Sequence, residues 1–395
     1  MIRSDQYDLT AINFTTYGAT LVYLDARGKR LTPVYNYLKP IDGKIPEELY
    51  KKYGGKDEFC RKTASPALGM LNSGLQALWL KISKPAVFSK VSNILHFPQY
   101  LSFLLSGKIY SEHTSIGCHT AMWDFDNMKY HKWISDEGLS LPEPGPIGTL
   151  NEVEFEGKAI KVGIGIHDSS ASLVPYFSFD KDSFLLVSTG TWCINMNPFN
   201  SENLTSEQLS MDCLCYMSIN RQPVKSSRLF LGNFHEVAVD YLSKYFKIQE
   251  DSFKLIKPDV KLLNKLSLKF RSRRVFFKGG EFSRELNEEP DLFEFDHFVE
   301  AYHQLMIELC DLTVEAINLV IPGDENLKNL YITGGFSKND IFRKLIASSF
   351  PHLKVYTSEI SNATALGTAL VVLEALNPEN KPNVDLGLTE CVISK

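Results

Sequence analysis

Residues 167–169 read His-Asp-Ser, a combination that could bind the hydroxyl groups of a substrate and remove a proton from one of them. The Asp168 carboxylate could act as a general base, while His167 and Ser169 could hydrogen-bond to neighbouring hydroxyls. The stretch follows an apolar run, residues 162–166, that is typical of a buried strand, and ligands of open α/β sheets bind at the carboxyl ends of strands. The other interpretation is that Asp168 only caps the helix that follows.

Two glycine-containing turns could hold a phosphate group. In Thr189-Gly190-Thr191 the glycine would let backbone amides approach a phosphate oxygen, and the threonines would add hydroxyl donors. Thr333-Gly334-Gly335 lies between a predicted strand and a predicted helix, where the helix N-terminus favours phosphate, and Asn339 could contact a base or ribose. Each motif also suits an ordinary tight turn, and we interpret Gly279-Gly280 as a turn alone. Taken together with His-Asp-Ser, the two motifs favour a phosphotransferase.

The spacing of apolar residues predicts the elements that position these stretches. Predicted strands cover residues 11–14, 20–24, 162–166, 183–188, 330–332 and 355–356. Predicted helices cover residues 65–83, 91–105, part of 229–246, 251–268, 298–320, 340–349 and 364–375. Residues 198–222 are predicted to be a polar connection rich in turns. Strands that alternate with helices favour an α/β layered fold.

Length, composition and charge narrow the class of protein. The chain has 395 residues, enough for two domains, and its 44% hydrophobic and 23% charged residues are ordinary for a globular protein. The net charge of −5 argues against a nucleic-acid partner. Seven scattered cysteines are expected to be free thiols in a reducing compartment. Because neither a leader nor an apolar run of spanning length is evident, we expect no membrane association and a cytoplasmic location.

With these motifs in view, the chain resembles the FGGY family of carbohydrate kinases, and especially its rhamnulokinase and fuculokinase branch, over essentially its whole length. The motifs that carry the resemblance are Thr15-Thr16-Tyr17-Gly18, the block 167–172, Ser188-Thr189-Gly190-Thr191-Trp192, Thr333-Gly334-Gly335 with Asn339, and Ala365-Leu366-Gly367. The resemblance implies two ribonuclease-H-like domains around a cleft, as in hexokinase and actin, with domains at residues 1–178 and 179–395. It also implies transfer of the ATP γ-phosphoryl group to a sugar hydroxyl with Mg²⁺, the sugar being a deoxyketose such as rhamnulose or fuculose.

The same resemblance assigns roles to individual residues. Asp168 matches the proton acceptor of the family. The sugar-side positions are Tyr17, Gly18, His167 and Ser169. The nucleotide-side positions are Thr189, Gly190, Thr191, Gly334 and Gly335, and Asn339 is expected near the adenine. No metal ligand is assigned to the chain, and a homodimer is left open.

The chain departs from the family pattern in two places. Residues 34–39 read Val-Tyr-Asn-Tyr-Leu-Lys where many relatives have a Trp-x-Asp-x-Arg or Tyr-Arg-Asp stretch, so sugar specificity does not carry over there. The family opens with an Asp-x-Gly-Thr hairpin that contacts ATP phosphates, and this sequence is expected to start after it, which would truncate the first domain. An inactive sugar-binding remnant is therefore the alternative function. A third reading, an actin-like ATPase without a sugar, is disfavoured by residues 167–169.

Overall fold

The structure is a computed structural model that describes residues 8–179, 182–278, 284–322, 327–360, 362–379, 382 and 384–391. Gly279 and Gly280, interpreted above as a turn, lie outside these residues. Within them no helix is both long enough and apolar enough to cross a membrane.

The strands are short, and between helices they occur singly or in runs of two to four. They are β1 (Ala11–Ile12), β2 (Thr15–Thr16), β3 (Leu21–Leu24), β4 (Asn93–His96), β5 (Ser111–Glu112), β6 (Trp123–Asp124), β7 (Lys129–Tyr130), β8 (Pro144–Gly145), β9 (Leu150–Phe155), β10 (Lys158–Gly163), β11 (Ile166–His167), β12 (Phe184–Thr189), β13 (Cys193–Asn197), β14 (Cys213–Met217), β15 (Pro223–Leu229), β16 (Asn329–Gly334), β17 (Lys354–Thr357) and β18 (Thr389–Glu390).

The α-helices range from single turns to a long central helix, α12. They are α1 (Lys44–Lys52), α2 (Lys56–Lys62), α3 (Ser73–Ser83), α4 (Pro85–Phe88), α5 (Phe97–Ser106), α6 (His113–Ile116), α7 (Lys132–Asp136), α8 (Asp168–Phe179), α9 (Ser206–Ser210), α10 (Leu231–Phe246), α11 (Val260–Lys269), α12 (Phe298–Asn318), α13 (Asp340–Ser349) and α14 (Ala363–Leu376).

The chain forms two compact units, and each is built from separate segments. Unit 1 comprises Met1–Lys181, Ser201–Lys225 and Asn362–Asp385. Unit 2 comprises Asp182–Asn200, Ser226–Ser361 and Leu386–Lys395. The boundary predicted between residues 178 and 179 stays a prediction.

In unit 1, the short strands β2 and β11 lead into the polar stretches that begin at Tyr17 and Asp168. Strand β10 pairs in parallel with β1 and antiparallel with β9, and β11 pairs in parallel with β2. Helix α8 begins directly after β11 and packs against α14. The two helices approach closely at Gly367, where a Cβ atom would overlap the carbonyl oxygen of Ala171. A glycine is required at this crossing because any side chain would push the two helices apart.

In unit 2, one sheet carries both glycine turns. Within this unit the strand order is β15-β13-β12-β16-β17-β18. Strands β12, β16 and β17 are parallel neighbours, whereas β13 and β18 run antiparallel to theirs. The central strands β12 and β16 are almost wholly buried, and α12 packs against β13, α10 and α13. The carboxyl ends of β12 and β16 therefore emerge side by side.

Most predicted elements are confirmed, and the clearest errors concern residues 65–83, 91–105 and 198–222. The α-helix predicted at 65–83 begins only at Ser73. The helix predicted at 340–349 has those bounds, and those at 298–320 and 364–375 differ only at their ends. The single helix predicted over 91–105 is instead strand β4 followed by α5. Leu95 of β4 pairs with Val22 of β3, so tertiary pairing of buried apolar residues overrides the helical spacing. The connection predicted at 198–222 contains α9 and the buried strand β14.

Candidate active site

The two polar stretches of unit 1 meet at one strand edge. Because β2 and β11 are parallel, with Thr16 opposite His167, Tyr17 and Gly18 follow β2 at the edge where Asp168 follows β11. Gly18 is buried against the neighbouring side chains, and a Cβ atom there would lie 2.5 Å from Cys118 Sγ and 3.1 Å from His167 Cδ2. The structure thus brings together the five predicted sugar-side and catalytic residues, including Ser169, the second residue of α8.

Asp168 is the first residue of α8, and its carboxylate remains accessible. Its side chain is 41% exposed. Its Oδ1 atom accepts a 2.6 Å hydrogen bond from the Ser169 backbone N–H and lies 3.1 Å from His167 Nε2. The bond to the Ser169 N–H satisfies one donor in the first turn of α8, and the carboxylate remains able to reach a ligand. A half-exposed carboxylate in this position can accept a proton from a bound hydroxyl.

His167 is buried and tightly held. Burial lowers the pKa of its ring, so the imidazole is neutral at neutral pH. The ring atoms Nε2 and Nδ1 lie 2.8 Å from Cys118 Sγ and 3.3 Å from Ser170 Oγ, and the backbone N–H donates to Thr114 Oγ1 at 3.0 Å. With both ring nitrogens and the backbone engaged, the residue has little freedom to reorient.

A buried carboxylate, that of Glu112, is linked by hydrogen bonds through Thr114 to the backbone of His167. Glu112 accepts hydrogen bonds from the Thr114 backbone N–H (2.8 Å) and from the Thr114 hydroxyl, which in turn accepts the His167 N–H. Burial raises the pKa of Glu112 to about 7 against the effect of these donors. The chain of bonds from Glu112 through Thr114 fixes the backbone at His167, a role that sequence reasoning missed.

Tyr17 belongs to a small aromatic cluster beside Gly18. Its ring is 41% exposed and lies 5.7 Å from the Tyr37 ring and 5.9 Å from the Phe97 ring, measured between centroids. Tyr37 comes from the 34–39 stretch, where the family pattern is absent. One residue of the stretch that differs from the family, Tyr37, therefore contacts a predicted sugar-side residue.

His96 gives the fold of unit 1 a specific sensitivity to acid. Its ring is buried, neither ring nitrogen has a hydrogen-bond partner, and burial lowers its pKa to about 4, with nearby His167 adding to the effect. The unfolded chain binds a proton below pH 6.5, whereas folded His96 does so only near pH 4. The contribution of neutral His96 to the free energy of unfolding is thus fully present above pH 6.5. About 3 kcal/mol of that free energy is lost as the pH falls from 6.5 to about 4.

We expect the His96→Leu variant to lose less unfolding free energy than the wild type between pH 6.5 and pH 4. Urea titrations across this range measure the difference. Parallel stability curves for His96→Leu and wild type would contradict this prediction.

In unit 2 the two predicted glycine turns form one structure. Thr189 ends β12 opposite Gly334, which ends β16. The Thr189 hydroxyl donates to the Thr333 carbonyl at 2.5 Å and accepts the Phe336 N–H at 3.0 Å. Gly334 has φ +86°, and a Cβ atom there would overlap the Thr189 carbonyl oxygen. Glycine is therefore required at position 334, as the tight-turn interpretation allowed.

The outer residues of these turns are open to a ligand. Gly190, Thr191 and Gly335 are exposed, and a Cβ atom at Gly335 would meet no atom within 4 Å. Exposed glycine backbone beside a threonine hydroxyl is suited to approach by a phosphate group. Contact of these residues with the phosphates of ATP stays a prediction.

Asn339 already has a structural role. Its Oδ1 atom accepts hydrogen bonds from the backbone N–H groups of Ile341 and Phe342, both at 3.0 Å, and so caps α13. Its Nδ2 atom donates to the Tyr302 hydroxyl at 2.9 Å. Contact with an adenine stays a prediction, and any such contact would have to be made alongside these bonds.

No group of three or more His, Cys, Asp or Glu side chains in the described part of the chain is arranged to hold a metal ion.

Comparison with known families identifies this arrangement. A family profile described as the FGGY family of carbohydrate kinases, N-terminal domain, matches residues 2–138. A second, described as carbohydrate kinase FGGY, C-terminal domain, matches residues 181–381, more than half of the chain. The chain belongs to the FGGY family of carbohydrate kinases. It is thus a member of a family of enzymes that phosphorylate carbohydrates, as its motifs predict.

Relatives and solved structures agree with this assignment. The chain is 22% identical to a rhamnulokinase of Oceanobacillus iheyensis, covering 94% of this chain and 80% of the relative. It is 24% identical to a rhamnulokinase of Halalkalibacterium halodurans, covering 93% and 79%. Its fold matches a carbohydrate kinase from Novosphingobium aromaticivorans with a TM-score of 0.77 at 23% identity, covering 97% of this chain and 80% of that one. The predicted fold class, α/β with two domains of the actin and hexokinase type, is confirmed.

Within this FGGY kinase, sequence reasoning missed the residues that support the site. Cys118, Thr114 and Glu112 lie about fifty residues before His167 and form no recognisable motif with it. A short Glu-x-Thr spacing is their only local signal, and it is that of an ordinary helix cap. Their roles become evident only from tertiary contacts.

We expect the Gly18→Ala variant of this FGGY kinase to lose sugar affinity by roughly 10-fold or more, because the new methyl group would displace Cys118 and His167. Titration with the sugar substrate measures the loss. The double variant Gly18→Ala, Cys118→Ala should recover part of it, since the closest clash is with the Cys118 sulfur. Unchanged sugar affinity in Gly18→Ala would contradict the proposed approach of Gly18 to the sugar.

Proposed function

We propose that this FGGY kinase transfers the γ-phosphoryl group of ATP to a hydroxyl of a deoxyketose of the rhamnulose or fuculose class. The observation that carries the proposal is the accessible Asp168 carboxylate beside buried, neutral His167, at the strand edge that also bears Gly18. The relatives named rhamnulokinase support the choice of sugar class. The aromatic cluster at Tyr17 offers an apolar surface for the carbon face of such a sugar.

In the proposed reaction Asp168 accepts the proton of the sugar hydroxyl as the hydroxyl oxygen attacks the γ-phosphorus of ATP, and ADP leaves with the bridging oxygen and the electron pair of the broken bond. His167 and Ser169 hold adjacent sugar hydroxyls, and the rigid support of His167 keeps the acceptor oxygen next to the carboxylate. ATP, when bound, supplies the phosphoryl group, and its phosphates are held by Gly190, Thr191 and Gly335. Positioning supplies most of the rate enhancement in such a reaction, and the base supplies a smaller part. Mg²⁺ is proposed only as the usual companion of ATP.

An assay of ADP formation tests the proposal. The chain would be incubated with ATP and Mg²⁺ and one of several acceptors: L-rhamnulose, L-fuculose, D-xylulose, gluconate or glycerol. We expect the highest kcat/KM for one of the two deoxyketoses and none without Mg²⁺. ATP without acceptor is the control for simple hydrolysis.

The alternative, a sugar-binding protein without turnover, has a distinct outcome in the same experiment. It would bind a deoxyketose in a calorimetric titration while forming no ADP with any acceptor. A preference for glycerol or gluconate would retain the kinase and overturn the sugar class.

A further inference from the structure

A cavity of about 500 Å³ in unit 2 is lined by aromatic and acidic side chains, and its lining includes no residue of the two glycine turns. Tyr241 and Tyr245 line it from α10, where they lie one turn apart on the same face. The Phe293 ring lies 6.1 Å from the Tyr245 ring between centroids, with the two planes at 88°. Phe293 is 91% exposed and both tyrosines are partly exposed. Their rings therefore form a contiguous aromatic surface in a cavity of the size that small molecules occupy.

The loop that presents Phe293 is held by hydrogen bonds on both sides of the cavity residues. The Asn287 backbone N–H donates to the Phe276 carbonyl oxygen at 2.8 Å, and its side-chain Nδ2 donates to the Val275 carbonyl oxygen at 3.2 Å. Further along, Asp291 Oδ1 accepts a 3.3 Å hydrogen bond from the Phe293 backbone N–H. The exposed ring is thus carried by a loop whose backbone is fixed, so the aromatic surface is formed before any ligand binds.

The cavity also has a negative charge that no lining residue neutralises. Glu288, Glu289 and Asp291 line it and are exposed, and none of the described lining residues is a lysine, arginine or histidine. Lys278 interacts electrostatically with Glu288 but forms its ion pair with Glu285, at 3.0 Å. Within the described ranges no lysine or arginine lies over any of the three aromatic rings. Both the carboxylates and the electron-rich ring faces are therefore available to a cation.

We propose that this cavity binds a small organic cation that carries a methylated ammonium group. Aromatic faces attract such a cation through their negative quadrupole, and rings that meet at a right angle can contact it from two directions. A methylated ammonium also presents methyl groups that pack on the rings, whereas a primary ammonium would need hydrogen-bond acceptors for its three N–H donors. The exposed carboxylates add attraction at longer range. This site is separate from the proposed phosphotransfer and does not depend on it.

Calorimetric titration of the full chain with three probes at low ionic strength tests the proposal. The probes are choline, ethanolamine and the uncharged carbon isostere of choline, which share a hydroxyethyl group and differ in methylation or charge. We expect choline to bind roughly 10-fold or more tightly than either of the others. Added salt should weaken choline binding, because the carboxylates that attract it are exposed.

Three substitutions locate the binding to this cavity. Tyr245→Leu and Phe293→Leu should each weaken choline binding by roughly 3- to 10-fold, because each removes one ring face. Tyr245→Phe keeps the ring and should bind choline as the wild type does. Phe199→Leu is the matched control, since Phe199 is an exposed phenylalanine of the same unit that does not line the cavity. Urea unfolding of each variant shows whether the fold is retained.

Several outcomes would overturn the proposal. Equal affinity for choline and its uncharged isostere would show that the surface binds apolar groups without regard to charge. Tighter binding of ethanolamine would exclude the methylated class, and undetectable binding of choline would exclude the site. Wild-type choline affinity in folded Tyr245→Leu and Phe293→Leu would place any binding elsewhere. None of these titrations uses a sugar or a nucleotide, so each outcome leaves the proposed kinase function untouched.

Discussion

Replacing Asp168 with asparagine should lower kcat by roughly 10²- to 10⁴-fold while the affinities for ADP and for the sugar stay within a few-fold of the wild type. Asparagine keeps the size of the side chain and its carbonyl oxygen, so the bond from the Ser169 N–H can persist. What it removes is the ability to take up the proton of the sugar hydroxyl. Steady-state kinetics with the preferred deoxyketose measure kcat, and calorimetry measures both affinities.

Asp57 supplies the control for this substitution. It is an exposed carboxylate in the first turn of α2, away from the strand edge that carries Asp168. Asp57→Asn should therefore retain wild-type kcat. If Asp168→Asn kept more than about a tenth of the wild-type rate, the proton-acceptor role would have to be given up.

Replacing Gly334 with alanine should destabilise unit 2 by about 2–4 kcal/mol and abolish measurable ADP binding. The residue has φ +86°, which alanine adopts only with strain, and its new methyl group would overlap the Thr189 carbonyl oxygen. Relief of this clash requires the ends of β12 and β16 to separate, and that would break the bonds between Thr189 and residues 333 and 336. Urea unfolding and a calorimetric ADP titration measure the two effects.

The neighbouring glycine serves as a control for stability. A Cβ atom at Gly335 would meet nothing within 4 Å, so Gly335→Ala should unfold at the same urea concentration as the wild type. Comparable stability of Gly334→Ala and Gly335→Ala would show that the turn rearranges at little cost, contrary to the close contact with Thr189.

The parts of this site that follow from sequence are those set by local chemistry. The His-Asp-Ser block marks a strand end because an apolar run precedes it, and α13 could be delimited because a polar glycine turn precedes it and its apolar residues recur at helical spacing. Gly334 is required by a positive φ, which a Gly-Gly turn signals. Each of these signals spans ten residues or fewer, within the range of a local pattern.

The parts that sequence reasoning missed depend on contacts between distant segments. The apolar residues of β4 fit a helix as well as a strand until Val22 is placed beside Leu95. Cys118 has no evident function until the fold sets its sulfur against His167. Asn339 shows the opposite case, in which a residue expected to contact a ligand is also needed to cap a helix.

The interleaving of the two units has a consequence for how the protein is made. Helix α8, which begins with Asp168, packs against α14, and the Ser178 hydroxyl donates to Glu374 from that helix. A ribosome translates residues 363–376 nearly two hundred residues after α8 has emerged. Unit 1 therefore cannot complete its packing while most of unit 2 is being synthesised, although the first segment of unit 1 leaves the ribosome before unit 2 does. The nascent chain must keep the apolar side of α8 from aggregating until α14 arrives, and this interval is where we expect chaperones to matter most for its yield.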